Sequence, residues 1–317
     1  MKKGLYIFIF LCFASRTNAQ QSVLYSQFML NDYGLNPAVA GSSKDWNFMV
    51  GRRTQWRGFA FAPETNFASV VKDFGKKGYR RYWHGAGIYI EQDKFGLFTT
   101  KIANASYATH LRVSSKYFLS FGISAGVKSA DLSSGLFDPN DPALIKREAK
   151  VVVPDIVPGV YLYSHKASVG FSVKNLYSYQ LKQGKKEIGS PSKIPAVAYI
   201  TATRRFSSPG YDFVYVPAIQ VQSAFTSLPI TQFNFMTYYR KRVGLGVTYR
   251  MHDALCAMLQ IYVLPNVVIG FSYDYTISKF RSAKANSTEI MMGFIPTGND
   301  DDFQGRANVA QCPKFDY

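Results

Sequence analysis

Acidic residues are scarce in this chain: 20 Asp and Glu stand against 37 Lys and Arg, for a formal net charge of +17. Charge of that size often marks a nucleic-acid partner. Cysteine is scarcer still, three in 317 residues, and that excludes a disulfide-stapled scaffold. Past the first residues no apolar run reaches the roughly 20 residues of a membrane-spanning helix. The four histidines, His84, His110, His165 and His252, include no two at metal-ligand spacing. No phosphate-binding loop or dinucleotide fingerprint occurs. The run Gly122-Ile123-Ser124-Ala125-Gly126 has the spacing of a nucleophile elbow. That device needs a sharp strand-to-helix turn, and here the serine sits inside a regular alternating segment. These absences leave no credible catalytic, metal or cofactor residue, so the chain is expected not to be an enzyme.

What is present begins at the amino terminus. Lys2 and Lys3 precede an apolar stretch from Leu5 to Phe13, and Thr17-Asn18-Ala19 ends it with a small residue in the last place. This is the pattern of a secretory signal peptide over 1–19, with cleavage after Ala19. Lys2, Lys3 and Arg16 leave with it, so the mature charge is 17 − 3 = +14. Export argues against a nucleic-acid partner. Cys256 and Cys312 remain after cleavage, and the topology derived below puts them at opposite ends, so no bridge is expected.

The full chain is rich in aromatics, 16% of all residues, at a near-neutral mean hydropathy of −0.09. Its clearest segment is Tyr117 to Lys128. Tyr117, Leu119, Phe121, Ile123, Ala125 and Val127 fall on one face, and small or polar residues on the other. Side chains on a strand alternate between faces. The same alternation recurs at 167–174, 243–250, 267–275 and 290–295. Weaker copies lie at 46–56, 66–72, 84–91, 101–111, 156–163, 196–205, 213–223, 231–239 and 255–262. The total is about fourteen, an even number. An antiparallel outer-membrane β-barrel over 46–295 is predicted, with apolar residues facing lipid and the interior polar.

Connections in such barrels are short on the periplasmic side and longer outside. The turns at 113–116, 165–166, 240–242 and 264–266 fall on one side, and the long connections 129–151 and 175–193 on the other. Segment 73–81 is long for its side. Residues 20–45 and 296–317 are expected as irregular segments at the periplasmic end, with both termini there. The short-turn side collects Lys72, Lys76, Lys77, Arg80, Arg81, Lys116, Lys166, Arg204, Arg205, Arg240, Lys241 and Arg242. Two readings stand for this basic rim: contact with lipid head groups, or docking of an acidic periplasmic partner. The docking candidates are Lys76, Lys77, Arg80, Arg81, Arg204, Arg205, Arg240, Lys241 and Arg242. Arg53, Lys128, Lys174, Arg250, Asp274 and Glu289 are placed toward the lumen, where they line a pore or pair within a filled barrel.

Several motifs then carry a resemblance. The mature chain opens with Tyr25-Ser26-Gln27-Phe28-Met29 and Leu35-Asn36-Pro37-Ala38-Val39-Ala40-Gly41, followed by Arg53-Thr54-Gln55-Trp56 and Ala62-Pro63-Glu64-Thr65. Asp93-Lys94-Phe95-Gly96, Asn140-Asp141-Pro142-Ala143-Leu144, Pro154-Asp155, Gly159 to Ser164, Gly170 to Leu176, Gly270 to Thr276 and Glu289-Ile290-Met291 follow in order. Together they resemble the PorP/SprF family of Bacteroidetes membrane proteins, linked to the type IX secretion system and gliding. The chain departs from it in continuing to Cys312-Pro313-Lys314-Phe315. The resemblance implies an integral outer-membrane protein that aids secretion or surface attachment of a cargo or adhesin. It also implies a periplasmic secretion or peptidoglycan-associated partner, and neither cofactor nor catalytic residue. A diffusion porin or transporter is the alternative.

Overall fold

A computed structural model describes residues 23–43, 46–75, 81–132, 149–176, 182–183, 186–187, 195–208, 212–224, 228–240, 242–264, 266–278 and 285–294. The expected signal peptide over 1–19 and the expected tail 296–317 lie outside them, as does Cys312.

The strands are β1 (Asn47–Thr54), β2 (Glu64–Phe74), β3 (Tyr82–Phe95), β4 (Phe98–Arg112), β5 (Tyr117–Leu132), β6 (Ala149–Ser164) and β7 (Ala167–Lys174). They continue with β8 (Val197–Arg204), β9 (Phe213–Ala224), β10 (Ile230–Tyr239), β11 (Val243–Arg250), β12 (Ala254–Leu264), β13 (Val267–Thr276) and β14 (Ser287–Phe294). Each pairs antiparallel with its neighbours, and β1 pairs with β14, Val50 opposite Met292. The two-residue stretch Phe206–Ser207 extends β8 along the same partner. The result is a closed antiparallel barrel of fourteen strands, as the alternation predicts. Pairing of the first strand with the last removes the open sheet edge that the hydrocarbon of a bilayer does not tolerate.

Burial inverts the arrangement of a water-soluble protein. The outward residues of β5, Phe121, Ile123 and Val127, are about half exposed, at 50%, 52% and 51%. Their inward neighbours Ser120 and Ser124 are buried. In β14, Ile290 and Met292 face out while Glu289 and Met291 face in and are buried. A period of two therefore sorts apolar to lipid and polar to the lumen.

The lumen is not empty. The first described segment, 23–43, was expected at the periplasmic end and instead runs through the barrel, almost every residue buried. It holds a turn at 26–30, a four-residue helix α1 (Asp32–Leu35) and one 3-10 turn, Pro37–Val39. Tyr25, Phe28, Leu30, Tyr33, Leu35 and Val39 form one core with Phe67, Trp83, Tyr89 and Tyr161 of the inner wall. Val214, Val216, Met236, Tyr238 and Met258 form a second core. An apolar segment of this kind would be exposed to water if left outside, and the lumen buries it.

The direction of this plug also differs from expectation. Ser26 meets Arg53, Asp274 and Glu289, which lie near the end of the barrel where β1 finishes and β14 starts. Gly41 meets Trp83, the second residue of β3, at the other end. The chain thus enters from the end bearing the long connections and crosses to the short-turn end, where β1 begins. The two ends of the described chain, residue 23 and Phe294, lie at opposite ends of the barrel.

Candidate functional site

The plug is held by side chains spaced far apart in sequence. At the long-connection end, Ser26 and Gln27 offer two successive backbone N–H groups to Glu289, at 3.1 Å to Oε2 and 2.9 Å to Oε1. The Ser26 hydroxyl donates to Asp274, 2.7 Å from Oδ1, and accepts from Arg250 at 2.9 Å and Arg53 at 3.2 Å. Arg53 bridges the acids, with Nη2 2.8 Å from Asp274 and Nη1 3.1 Å from Glu289. All four charged residues are buried, two cations against two anions. Buried charges of this kind persist only when paired and hydrogen-bonded. The filled-barrel reading of Arg53, Arg250, Asp274 and Glu289 is the one that holds.

Next along the plug, the Tyr25 hydroxyl donates to Glu91 at 2.8 Å, beside a second donation from Tyr89 at 2.6 Å. Tyr33 shares a 2.6 Å hydrogen bond with Ser106. A small cavity of about 40 Å³ adjoins α1, lined among others by Tyr33, Tyr89, Asn104, Asp155, Val157 and Lys174. Asn104 donates to Asp155 at 2.7 Å there. Lys128, also assigned to the lumen, donates to Asn175 at 2.8 Å, and Lys174 lies 5.4 Å from the Tyr199 ring.

At the other end the plug backbone itself is read out. Ser172 donates to the Leu35 carbonyl at 2.6 Å, and Ser120 to that of Ala38 at 2.7 Å. Asn36 donates to the Val160 carbonyl at 3.0 Å. His110 Nε2 lies 2.6 Å from the Ala40 carbonyl, which can only accept, so Nε2 carries the proton. Its Nδ1 lies 2.9 Å from the Tyr163 hydroxyl, and its ring stacks on Trp83 at 5.1 Å. The Trp83 indole N–H donates to Gly41 at 2.9 Å.

Two inward glycines make this approach possible. A Cβ on Gly122 would strike the Ala38 backbone, and one on Gly85 would strike Ala40 and Gly41. The small inner face of β5 is thus the seat of the 3-10 turn. Ser124, the serine of the elbow-like run, is buried mid-strand in β5 and is followed by more strand. Among the described residues no cluster of three His, Cys, Asp or Glu side chains could hold a metal ion. Nothing in the sequence neighbourhood of His110 marks it as a plug anchor. Its contact is 70 residues away.

The basic rim is partly described. Lys76, Lys77, Arg80 and Lys241 lie outside the described residues. Arg81, Arg204, Arg240 and Arg242 are exposed at the short-turn end, and Arg205 is partly covered. Arg204 lies 5.0 Å over the Phe206 ring, and Arg240 5.4 Å over that of Tyr239. Arg240 also pairs with Asp212 at 3.2 Å. Lys72 sits 4.7 Å over Trp46. Lys72, Arg204 and Arg240 thus stack on outward aromatics, a geometry compatible with head-group contact. Arg81 and Arg242 are exposed in the same ring.

Comparison with known proteins follows the same lines. The profile of the family described as type IX secretion system membrane protein PorP/SprF matches residues 17–294. No curated protein sequence matches. Among solved structures, the toluene transporter TbuX of Ralstonia pickettii aligns with a TM-score of 0.51 at 14% identity, over 84% of this chain and 94% of that one. The monoaromatic hydrocarbon channel CymD aligns with a TM-score of 0.52 at 14% identity, over 87% and 94%. At that identity the likeness concerns the fold, an outer-membrane barrel.

Proposed function

Since the chain belongs to the type IX secretion system membrane protein PorP/SprF family, we propose that it is a closed, non-catalytic partner barrel of that system. It holds or helps export one secreted, adhesin-like protein, and in cells that glide it serves an adhesin of that movement. Its second partner is a periplasmic component of the secretion or peptidoglycan-associated machinery, met at the short-turn end.

The observation that carries this reading is the lumen filled by residues 23–43. A barrel closed by its own chain, with the closing segment tied to a buried four-charge cluster, suits a protein that binds at its ends. The diffusion porin or transporter alternative, which matches what the two fold neighbours' names say of those proteins, requires that segment to move. Deleting the gene and assaying type IX cargo at the cell surface is the test. Loss of one adhesin-like protein from the surface, with others unaffected, supports the proposal. Unchanged secretion and attachment of all cargo sinks it.

A further inference from the structure

The connection from β1 to β2, at the end where the plug enters, is an ordered loop of unusual composition. Residues 57–61, Arg-Gly-Phe-Ala-Phe, are all exposed. Phe59 and Phe61 are 44% and 48% exposed, and Phe95 and Phe98 at the neighbouring hairpin tip are 53% and 47% exposed. Trp56 packs edge-on against Phe95 at 6.3 Å. Five aromatic side chains therefore cluster at one mouth of the barrel.

This cluster lies beyond the lipid-facing band of its own hairpin. Going up β1, the outward residues are Phe48, Val50 and then Arg52, which pairs with Glu64 of β2 at 2.9 Å on the outer surface. A charged pair facing outward marks the edge of the hydrocarbon, because charge on the lipid face is disfavoured within it. The chain from Gln55 to Pro63 follows that edge. A Cβ on Gly58 would meet nothing within 4 Å, so the tip stands in open space.

The loop is also held in shape. Trp56 and Phe61 adopt left-handed φ values of 48° and 61°. Non-glycine residues stay there only when their surroundings fix them, and such positions concentrate at functional sites. Here the Gln55 N–H donates to Pro63 at 2.9 Å, Arg57 to Asn286 at 2.8 Å, and Gly96 to Phe61 at 3.2 Å. Trp56 donates to Ser287 at 3.2 Å. Three connections are thereby tied together beneath the rings. A contiguous apolar patch facing water marks an interaction site. Arg57 and Lys94 flank it, exposed and without an acidic partner among the described residues, while Glu64 is occupied by Arg52.

We propose that Trp56, Phe59, Phe61, Phe95 and Phe98, with Arg57 and Lys94, form the docking surface for an acidic, apolar segment of the exported protein. The inference rests on the function proposed above and gives its partner a place. Aromatic anchors flanked by cations take apolar side chains in the centre and carboxylates at the rim.

The test uses the full chain in its own cells, with a photo-reactive phenylalanine analogue at position 59 or 61, and at Leu245 of the lipid-facing wall as control. The expected adduct is one acidic exported protein, formed from 59 and 61 and not from 245. Phe59→Ser with Phe61→Ser is expected to lower the surface level of that protein at least about tenfold. Arg57→Glu with Lys94→Glu is expected to lower it in the same direction, with barrel abundance and heat-modifiable gel mobility unchanged. Adducts with lipopolysaccharide or phospholipid alone would overturn the proposal and make the cluster an interfacial girdle. So would a double variant that keeps the protein on the surface while gene deletion releases it, and there the proposed function would survive. Deletion that releases nothing would remove both.

Discussion

Glu289 carries more than its own charge. It receives two plug N–H groups and one arginine, and Arg53 depends on it for half of its compensation. Glu289→Ala leaves Arg53 short of a partner and two buried N–H groups bare. Breaking a buried pair from one side costs about 3–5 kcal/mol. The expected result is a matching fall in unfolding free energy in a denaturant titration of the lipid-reconstituted protein. Glu289→Gln keeps one acceptor and should lose less. Gly122 tests the opposite end of the plug by bulk and not by charge. Gly122→Leu drives a side chain into the Ala38 backbone. Overpacking of this sort costs about 1–3 kcal/mol. Since leucine suits a strand well enough, the barrel should still close, and limited proteolysis should cut within residues 23–43 in the variant and not in the parent.

At the scale of elements, the strands were open to reading and the plug was not. Ile290, Met292 and Phe294 alternate with Met291 and Gly293 because each strand has one lipid face and one lumen face. That pattern is local and survives in the sequence. The plug has no period: Tyr25, Tyr33 and Leu35 are held by hydrogen-bond partners 66, 73 and 137 residues away. An apolar, turn-rich segment ahead of the first strand reads the same whether it lies outside the barrel or within it. The signal that could have found it is the inner face itself, where Gly85, Gly122, Ser120 and Ser172 are too small to fill a lumen alone. The same holds for the charges, since Arg53, Arg250, Asp274 and Glu289 could be assigned inward by parity while their pairing through Ser26 could not. The quoted family motifs, Tyr25 to Met29, Leu35 to Gly41, Arg53, Asp274 and Glu289, all meet in this plug and its lock. Removing the element is then decisive. The intact chain is expected to be silent in planar bilayers, and deletion of 23–43 is expected to make it conduct. Conductance of the intact chain equal to that of the deletion would make the plug irrelevant to closure.

For the whole molecule, the two ends differ in what they present. The short-turn end carries Arg81, Arg204, Arg240 and Arg242, with Arg204 and Arg240 stacked over outward aromatics. Charge reversal at Arg204 and Arg240 is expected to disturb seating in anionic bilayers. Reversal at Arg81 and Arg242 should instead weaken a periplasmic partner in pull-down without unfolding the barrel. The other end carries the long connections, the plug entrance and the aromatic loop. If short turns face the periplasm, residue 23 lies at the outer mouth and Phe294 at the inner one. Two exposed positions read this out. Ala60 sits in the loop after β1, and Ser115 in the turn between β4 and β5. With Cys256 and Cys312 both replaced by Ala, so that no other cysteine of the mature chain reacts, Ala60→Cys should react with a membrane-impermeant maleimide on intact cells. Ser115→Cys should react only after the outer membrane is opened. The reverse pattern would turn the barrel over, moving the basic rim to the cell surface and the docking loop to the periplasm.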